Sequence, residues 1–179
     1  MRSLKIFFMI TSKKLHNKKS KKVVVAVSGG FDPVHSGHTR LFHEAKKLGD
    51  ELVVILNNDN WLKKKKGQVF MSEQERKEII EALGDVDRVL LTRHPKNPKD
   101  MSVCNELFKL TPHIFANGGD RVKSNIPEVP VCESIDCAMV FNIGYGGKVQ
   151  SSSWLLSSFL KEIPCQCGSG KKNKRCHGT

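Results

Sequence analysis

The sequence predicts an α/β fold in which a parallel sheet of about five strands is wound with helices on both faces. Short apolar runs alternate with segments of helical periodicity from residue 23 to residue 160, an alternation that is typical of parallel sheets. Clusters of glycine, asparagine and proline separate these segments. The length of 179 residues suffices for one such domain and a small separate motif at the C-terminal end.

The first strand, turn and helix form the unit on which the functional prediction depends. Residues 23–27 are a short apolar run of mostly β-branched residues, which predicts a buried strand. Ser28, Gly29 and Gly30 end this strand, and glycine allows a backbone to approach a ligand closely. A helix is predicted to begin near His35 and to stop at Gly49. Because a glycine turn and a helix N-terminus bring unpaired N–H groups together, this unit predicts phosphate binding.

The remaining elements continue the alternation. Strands are predicted at residues 51–56, 88–91, 113–116 and 138–143, and helices at residues 72–83, 101–110 and 151–161. The segment between the second strand and the helix at residue 72 is predicted to be a loop that contains the lysine run 63–66. The last helix is expected to turn its large apolar side chains inward, namely Trp154, Leu155, Phe159 and Leu160. Such a fold is Rossmann-like, and its ligands bind at the carboxyl ends of the strands.

The formal net charge of +12 lies entirely in two tails. Residues 1–22 hold eight Lys or Arg and no acid, and residues 161–179 hold five and one acid, whereas residues 23–160 hold 17 of each sign. Basic tails suit contacts with nucleic acid or with a protein partner. The sequence therefore predicts a basic, mobile extension over 1–22, a main domain over 23–162 and a small motif over 163–179.

The lack of a recognisable targeting signal, together with the cysteine usage, predicts a cytoplasmic protein. The apolar run at residues 4–10 is followed by lysines and not by a small-residue cleavage site. No stretch approaches the roughly 20 apolar residues that a membrane span needs. Six cysteines without a secretion signal indicate metal binding or ordinary thiols in a reducing compartment, not disulfides.

The turn after the first strand reads G-G-F-D-P-V-H-S-G-H and resembles the G-x-F-D-x-x-H-x-G-H signature of the nucleotidylyltransferase superfamily. The resemblance implies transfer of a nucleoside monophosphate from ATP or CTP to a small phosphorylated acceptor, with release of pyrophosphate. Mg²⁺ is then expected to accompany the nucleotide. Two residues are expected to stabilise charge on the phosphates, His35 and His38. Four others are expected to contact the nucleotide, Gly29, Gly30, Phe31 and Asp32.

Three basic residues match phosphate-binding positions of the same family. Lys66, beside Gly67, resembles the lysine that grips a phosphate during transfer, and Lys63 is the alternative in the same lysine run. Arg76 falls where relatives carry a phosphate-binding arginine in an E-x-R sequence. Without the resemblance, all three would read as solvated side chains on a loop or a helix surface.

Two later segments match the positions where the family holds the nucleotide. Gly118 and Asp120 lie in a sequence that resembles the G-G-D at which base and ribose bind. Three serines at a helix start resemble the hydroxyls that hold the β- and γ-phosphates, Ser151, Ser152 and Ser153, although serines also cap helices routinely.

The sequence before these serines separates two branches of the family. The glycerol-phosphate branch has R-T-E-G-I there, whereas this chain has G-G-K-V-Q. The missing arginine favours the heptose-phosphate adenylyltransferase branch, with a sugar phosphate of heptose type as acceptor. A CTP-dependent enzyme acting on glycerol phosphate or another alcohol phosphate is the alternative. Enzymes of the family that the chain resembles are often homodimers, but the sequence leaves the oligomeric state open.

The C-terminal tail resembles the SEC-C motif, a small zinc-binding unit. A C-x-C pair and a C-H pair are separated by eight residues and can close a tetrahedral zinc site. The predicted ligands are Cys165, Cys167, Cys176 and His177, and such a site stabilises a segment that has too little core to fold alone. A second alternative is therefore a non-catalytic nucleotide-binding scaffold whose tails bind protein or RNA.

Overall fold

The structure is a computed structural model that describes residues 22–119, 121, 124, 126–144, 151–165, 167, 169 and 172. Its strands are β1 (Val24–Gly29), β2 (Glu51–Leu56), β3 (Arg88–Leu91), β4 (Ile114–Gly118) and β5 (Ala138–Ile143). They form one sheet in the order β3-β2-β1-β4-β5, and every pairing is parallel. This architecture confirms the predicted Rossmann-like fold class.

The sheet is buried on both faces because its strands alternate side chains between two cores. Val25 and Val27 of β1 belong to one core, whereas Ala26, between them, belongs to the other. All of β2 except Glu51 is buried. Such continuous apolar strands are typical of a parallel sheet with a helical layer on each side.

Helices cover both faces of the sheet. They are α1 (Ser36–Lys46), α2 (Asp59–Lys66), α3 (Glu73–Glu81), α4 (Cys104–Leu110), α5 (Val129–Ser134) and α6 (Ser152–Glu162). Helices α1 and α3 contribute Phe42, Ala45 and Ile80 to the first core. Helices α4 and α5 contribute Leu107 and Cys132 to the second. None of the helices in the described part of the chain is long and apolar enough to cross a membrane.

The predicted loop around the lysine run is wrong, since residues 59–66 form α2. The Asn58 side chain caps this helix by accepting from Trp61 N–H at 3.1 Å. Gly67 ends the helix in the left-handed conformation, with a φ of 80° that glycine adopts without a steric cost. Leu62 is fully buried and anchors the helix to the domain. The cap and this anchor outweigh a sequence that is otherwise dominated by asparagine and lysine.

The expected inward face of the last helix is also wrong. Trp154, Phe159 and Leu160 are 58%, 63% and 44% exposed. Ser152 is instead the buried residue of α6, and its hydroxyl donates to Pro33 O at 3.0 Å. The helix is therefore attached to the domain through its N-terminal end.

The sheet order places a topological switch between β1 and β4. β2 follows β1 on one side, whereas β4 and β5 extend the sheet on the other. The crevice outside the carboxyl ends of the strands at such a switch is the usual ligand site of a doubly wound sheet. In this chain the turn after β1, the N-terminus of α1 and the turn after β4 all lie at that edge.

Candidate active site

A cavity of about 390 Å³ opens at the carboxyl edge of the sheet, beside the switch between β1 and β4. Its walls come from the turn after β1, the first turn of α1, the end of α2, the turn after β4, the end of β5 and the start of α6. Two helices of eleven residues, α1 and α6, begin at this cavity. The first-turn N–H groups and positive dipole ends of these helices make it suitable for an anion.

Both motif histidines take part in capping α1. His35 is the N-cap residue, and its Nδ1 accepts from Gly37 N–H at 3.1 Å. The Nδ1 of His38 accepts from the N–H of His35 at 3.3 Å, which completes a reciprocal capping box. Since both Nδ1 atoms accept, the proton of each neutral ring is on Nε2. Each ring lines the cavity and keeps a donor that the helix does not use.

The two imidazoles are held in the neutral form. Their rings are stacked, with centroids 3.7 Å apart and an interplanar angle of 22°. Burial lowers the pKa of His38 to about 3, and nearby His35 and Lys66 contribute to the shift. Burial, followed by the charge of Lys66, also lowers the pKa of His35. At neutral pH the cavity therefore presents two neutral donors beside one ammonium group.

Lys66, the last residue of α2, reaches back to the turn after β1. It lines the cavity, and its Nζ donates to Asp32 O at 3.0 Å. Although much of the side chain is exposed, desolvation of the ammonium group lowers the pKa of Lys66, against a smaller opposite effect of Asp32. Lys63 of the same helix is exposed and does not line the cavity. Of the two predicted lysines, the structure brings only Lys66 to the cavity.

Asp32 is predicted to contact the nucleotide, but its side chain does not line the cavity. Its side chain is buried, and its two carboxylate oxygens accept from Phe70 N–H and Met71 N–H, both at 2.8 Å. Because both oxygens are engaged in these bonds, the carboxylate fixes the segment between α2 and α3 to the turn after β1. The residue therefore supports the wall of the cavity without lining it.

Arg76 is predicted to bind a phosphate, but it does not line the cavity either. It is fully buried in α3, and its Nη2 pairs with the carboxylate of Asp59 at 2.7 Å. Nη1 donates to Gly30 O at 2.6 Å and to Asn57 O at 2.8 Å, and Nε donates to Met71 O at 3.0 Å. The guanidinium group is thus committed to protein acceptors and holds together the turns after β1 and β2.

The turn after β1 is tightly packed against α1. Phe31 adopts a φ of 48° and places its ring edge-on to His38 and to Phe42, with centroids 4.9 and 5.1 Å apart. A Cβ atom added at Gly29 would lie 2.7 Å from the Phe31 ring. Glycine is therefore required at this position for the ring to occupy the cavity wall beneath the histidines.

The three predicted serines all line the cavity. Ser151 is the N-cap of α6, and its Oγ accepts from Trp154 N–H at 3.1 Å. The hydroxyl of Ser152 is bonded to Pro33 O, so it connects α6 to the histidine motif. Ser153 is exposed in the first turn.

Several predicted residues fall at the edge of the described structure or beyond it. Gly118 and Gly30 line the cavity, but Asp120 lies outside the described residues. Cys176 and His177 lie outside them as well, whereas Cys165 is buried and Cys167 is exposed. Pro164 and Lys172 form an antiparallel bridge, and the two cysteines lie between them in the sequence. Among the residues that the structure describes, no group of three or more acidic, cysteine or histidine side chains could hold a metal ion.

Sequence reasoning missed Trp61 and Arg121, two residues of the cavity wall. Trp61 lines the cavity, and its Nε1 donates to Met101 O at 2.8 Å, which fixes the plane of the indole. Arg121 lines it too, with Nη1 3.5 Å from the Oδ1 of buried Asn117. Arg121 directly follows the G-G-D sequence, and this adjacency is a signal that could have identified it.

The charge of the cavity is positive throughout its described walls. Lys66 and Arg121 are the cations, and no carboxylate is present among the lining residues. Glycine N–H groups, serine hydroxyls and two imidazole donors complete the wall. An extended polyphosphate is the ligand that this combination of donors suits best.

Comparison with known proteins gives a consistent result. Residues 26–130 match the family described as Cytidylyltransferase-like. The chain is 32% identical over 140 residues to the bifunctional protein HldE of Pelobacter propionicus, which covers 77% of this chain and 25% of that protein. It is 36% identical over 102 residues to the FAD synthase of Pyrococcus horikoshii, covering 56% of this chain and 66% of that protein. The chain thus spans a quarter of one relative's length and just under two thirds of the other's.

A solved structure shares the fold. The lipopolysaccharide core biosynthesis protein from Thermoplasma volcanium GSS1 aligns with a TM-score of 0.56 and 27% sequence identity. The alignment covers 70% of this chain and 99% of that protein. Both kinds of comparison therefore agree with the family that the histidine motif predicts.

Proposed function

The chain belongs to the cytidylyltransferase-like family of nucleotidyltransferases, and from this premise we propose that it transfers a nucleoside monophosphate from ATP or CTP to a small phosphorylated acceptor. An oxygen of the acceptor phosphate attacks the α-phosphorus, and the bond from that phosphorus to the β-phosphate oxygen breaks. Pyrophosphate leaves with the electron pair of that bond. Such a reaction needs aligned reactants and stabilisation of developing negative charge more than it needs covalent chemistry from the protein.

The observation that carries this proposal is the pair of neutral histidines at the start of α1. The Nδ1 atom of each ring accepts a hydrogen bond from a backbone N–H at the start of α1, so the proton of the neutral ring is on Nε2. Each Nε2–H group can therefore donate to a phosphate oxygen while the ring stays uncharged. In the proposed reaction His35 and His38 hold the phosphate oxygens on which charge accumulates. Lys66 adds a full positive charge next to them. The helix fixes both rings, so little reorganisation accompanies the transfer.

The nucleotide is proposed to lie across the switch between β1 and β4. The start of α6, with Ser151, Ser152 and Ser153, suits the β- and γ-phosphates. Gly118 and the neighbouring Asp120 are proposed to contact base and ribose, as Gly29 and Gly30 approach the phosphates. Asp32 and Arg76 act in this scheme through the turns that they hold in place.

Magnesium is proposed to enter with the nucleotide. Mg²⁺ prefers oxygen ligands and is commonly held by substrate phosphates together with one or two carboxylates. The described walls contain hydroxyls and no carboxylate, so they fit an ion carried mainly by the phosphates better than a cage made by the protein. When bound, the ion neutralises phosphate charge.

The favoured acceptor is a sugar phosphate of heptose type, with ATP as donor. The match to HldE over 77% of this chain supports it. Glycerol phosphate or another alcohol phosphate with CTP is the alternative. The match to FAD synthases is a reason to include flavin mononucleotide in the same test.

Pyrophosphate release over a grid of donors and acceptors tests the proposal. ATP, CTP, GTP and UTP are each combined with a heptose phosphate, glycerol 3-phosphate and flavin mononucleotide in the presence of Mg²⁺. We expect release that depends on both substrates and is greatest for ATP with the heptose phosphate. Absence of acceptor-dependent release from every pair would contradict the proposed function.

The C-terminal tail is proposed to hold a structural zinc ion through Cys165, Cys167, Cys176 and His177. The antiparallel bridge between Pro164 and Lys172 supports this because the two residues that it joins flank the first two ligands in the sequence. Four protein ligands leave no open position, so the ion would stabilise the tail and not react. Dimer formation, contacts of the basic tails with nucleic acid or protein, and a cytoplasmic location stay predictions.

A further inference from the structure

A second concave surface lies beside the cavity, at the carboxyl end of β3. It is a groove of about 590 Å³ between residues 93–102 and α4. The chain from Thr92 to Val103 connects β3 to α4 without a helix or strand. Connections of this length without secondary structure are uncommon in compact domains and are often functional. Nothing in the proposed transfer chemistry uses this groove.

The connection is held in one conformation by His94. The hydroxyl of Thr92 accepts from Asn58 N–H at 3.0 Å and lies 2.9 Å from His94 Nδ1. Nε2 of the same ring lies 3.0 Å from Ser102 O. Because a carbonyl can only accept, Nε2 carries the proton and Nδ1 accepts from the hydroxyl. The ring therefore crosslinks the two ends of the connection.

Helix α2 fastens the same connection from the side of the cavity. The side-chain amides of Asn58 and Asn60 both donate to His94 O, at 2.9 and 3.0 Å. Trp61 Nε1 donates to Met101 O, and Trp61 also lines the cavity. Helix α2 thus joins the connection that forms the groove to one wall of the cavity.

The groove is lined by basic and polar side chains, which suit a ligand that carries one anionic group and several hydroxyl groups. Arg93, Lys99 and Lys109 line it, and no ion pair engages them within the part of the chain that the structure describes. Asp100 also lines the groove and accepts from Ser102 N–H at 2.8 Å, and hydrogen bonds from Ser102 lower the pKa of its carboxyl group. The three cations of the groove thus outnumber its two carboxylates, Asp100 and Glu106. Asn105 and Glu106 suit hydroxyls of a ligand, and Asn97 offers its amide N–H groups, since its Oδ1 accepts from Lys64 Nζ at 2.7 Å.

The distance between the cavity and the groove suits a single small molecule that occupies both. β2 lies between β1 and β3 in the sheet, and adjacent strands are about 4.8 Å apart, so the ends of β1 and β3 are about 10 Å apart. A phosphorylated sugar has a comparable length. A molecule whose phosphate lies at the histidines can therefore extend over Trp61 into the groove.

We propose that this groove binds the far end of the acceptor, and that this end carries a second anionic group among hydroxyls, as in a sugar bisphosphate. The inference rests on the proposed transfer reaction and narrows its acceptor class. Arg93 and Lys99 hold the second anion, while the amides and Glu106 contact hydroxyls. The acceptor phosphate that attacks remains in the cavity, so the groove determines which acceptor binds and takes no part in the bond changes.

Binding of two matched probes tests the groove without any turnover. Full-length protein labelled with ¹⁵N is titrated with fructose 1,6-bisphosphate and with fructose 6-phosphate, and the backbone signals of Asn97 and Asn105 are followed. We expect saturable shifts with the bisphosphate and affinity at least about tenfold weaker for the monophosphate, since a charge-assisted hydrogen bond is worth about 1.5–3 kcal/mol. The variant Arg93→Ser/Lys99→Ser should lose that preference.

A second double variant serves as the control. Lys77→Ser/Arg88→Ser removes the same two charges from exposed ion pairs with Glu81 and Glu51, away from the groove, and should bind both probes as wild type does. No saturable shift, equal affinity for the two probes, or equal loss in both double variants would overturn the proposal. Because this titration needs no turnover, it separates a failed groove from a failed transfer reaction.

Initial rates then test the connection to the acceptor. With an acceptor that carries a second anionic group and supports pyrophosphate release, such as a sugar bisphosphate, the groove variant should raise KM for the acceptor about tenfold or more, while kcat and KM for the nucleotide stay unchanged. An unchanged KM for the acceptor would overturn the placement of the acceptor in this groove.

Discussion

His35 and His38 each use their two ring nitrogens for different purposes. The Nδ1 atoms complete the N-terminal cap of α1, and the Nε2–H groups stay available in a cavity of positive charge. The capping function explains why a strand, a glycine turn and a helix start are all needed around the motif. It also allows the structural and chemical roles of each ring to be separated by substitution.

A substitution of His35 or His38 that preserves the N-terminal cap of α1 should still lower activity. Asn at position 35 and Gln at position 38 retain the side-chain acceptors of a capping box but lose the imidazole Nε2–H. We expect His35→Asn and His38→Gln each to lower kcat about 100-fold or more, because one donor to developing charge is typically worth that much. Steady-state pyrophosphate release measures the effect.

His43 provides the control for these variants. It lies in the same helix but is exposed, 3.3 Å from Asp85, and it does not line the cavity. His43→Asn should retain the wild-type rate. Near-normal rates for both motif variants would refute the role given to the Nε2 donors.

The low pKa of His38 predicts how stability depends on pH. The folded ring has a pKa of about 3 against 6.5 for an unperturbed histidine, so the unfolded chain binds more protons between these values. Its contribution to stability is therefore full above pH 6.5 and is lost as pH falls, at up to about 1.4 kcal/mol per pH unit. The lowered pKa of His35 acts in the same direction.

Urea unfolding at several values between pH 7 and pH 5 measures this dependence. Wild type should lose stability over the range more steeply than His38→Gln, whose side chain does not titrate. The carboxyl groups stay largely ionised there, so they contribute little to the difference. Equal slopes for the two proteins would show that His38 titrates normally in the folded state.

At the scale of elements, buried charge fixes the turns that form the cavity. Arg76 connects α3 to the ends of β1 and β2 and to the first residue of α2. Asp32 connects the segment before α3 to the same turn after β1. The precise position of the glycine turn therefore depends on side chains that do not reach the ligand.

Loss of this buried charge should be costly to the fold. Arg76→Met removes the partner of Asp59 and the donor to three carbonyl groups, and we expect a loss of about 3–5 kcal/mol in the free energy of unfolding. Arg88→Met removes an exposed ion pair with Glu51 and should cost less than about 1 kcal/mol. Urea denaturation of both variants makes the comparison, and equal small losses would contradict the structural role of Arg76.

The sequence predicts an element correctly where the pattern of the element's own residues is enough to define it. β2, β3 and β5 have the predicted bounds because each is a short apolar run between polar or turn-forming residues. α2 was missed because its signal is one capping asparagine and one terminal glycine around a lysine run. The sequence also cannot show that Arg76 is buried, since its acceptors are backbone carbonyls brought close only by the fold. Cavity residues from distant segments, such as Trp61, are hidden for the same reason.

At the scale of the whole molecule, the domain and the tail are proposed to act separately. The cavity lies at the carboxyl edge of one sheet. The tail begins after α6 with Cys165 and Cys167, and neither of these two predicted ligands, which the structure describes, lines the cavity.

Zinc content should therefore change without a change in transfer. We expect one zinc ion per chain in wild type and none in Cys165→Ser/Cys167→Ser, with zinc released as pH falls because protons compete for the thiolates. Cys104→Ser removes a thiol outside the predicted site and should retain the metal. Metal analysis beside a rate measurement with Mg²⁺ provides the test. Equal zinc in the double variant would refute the ligands, and a lost rate would refute the separation.

The central claim is that the acceptor attacks the α-phosphorus at the histidine motif. The most direct test follows the two ends of the nucleotide, with ³²P at the α- or the γ-position and the acceptor that the donor grid selects. We predict that the α-label moves into the product with the acceptor and that the γ-label appears only in pyrophosphate, with both signals lost in His35→Asn. Appearance of the γ-label in the acceptor or in orthophosphate, with the α-label left in a nucleoside diphosphate, would contradict the account.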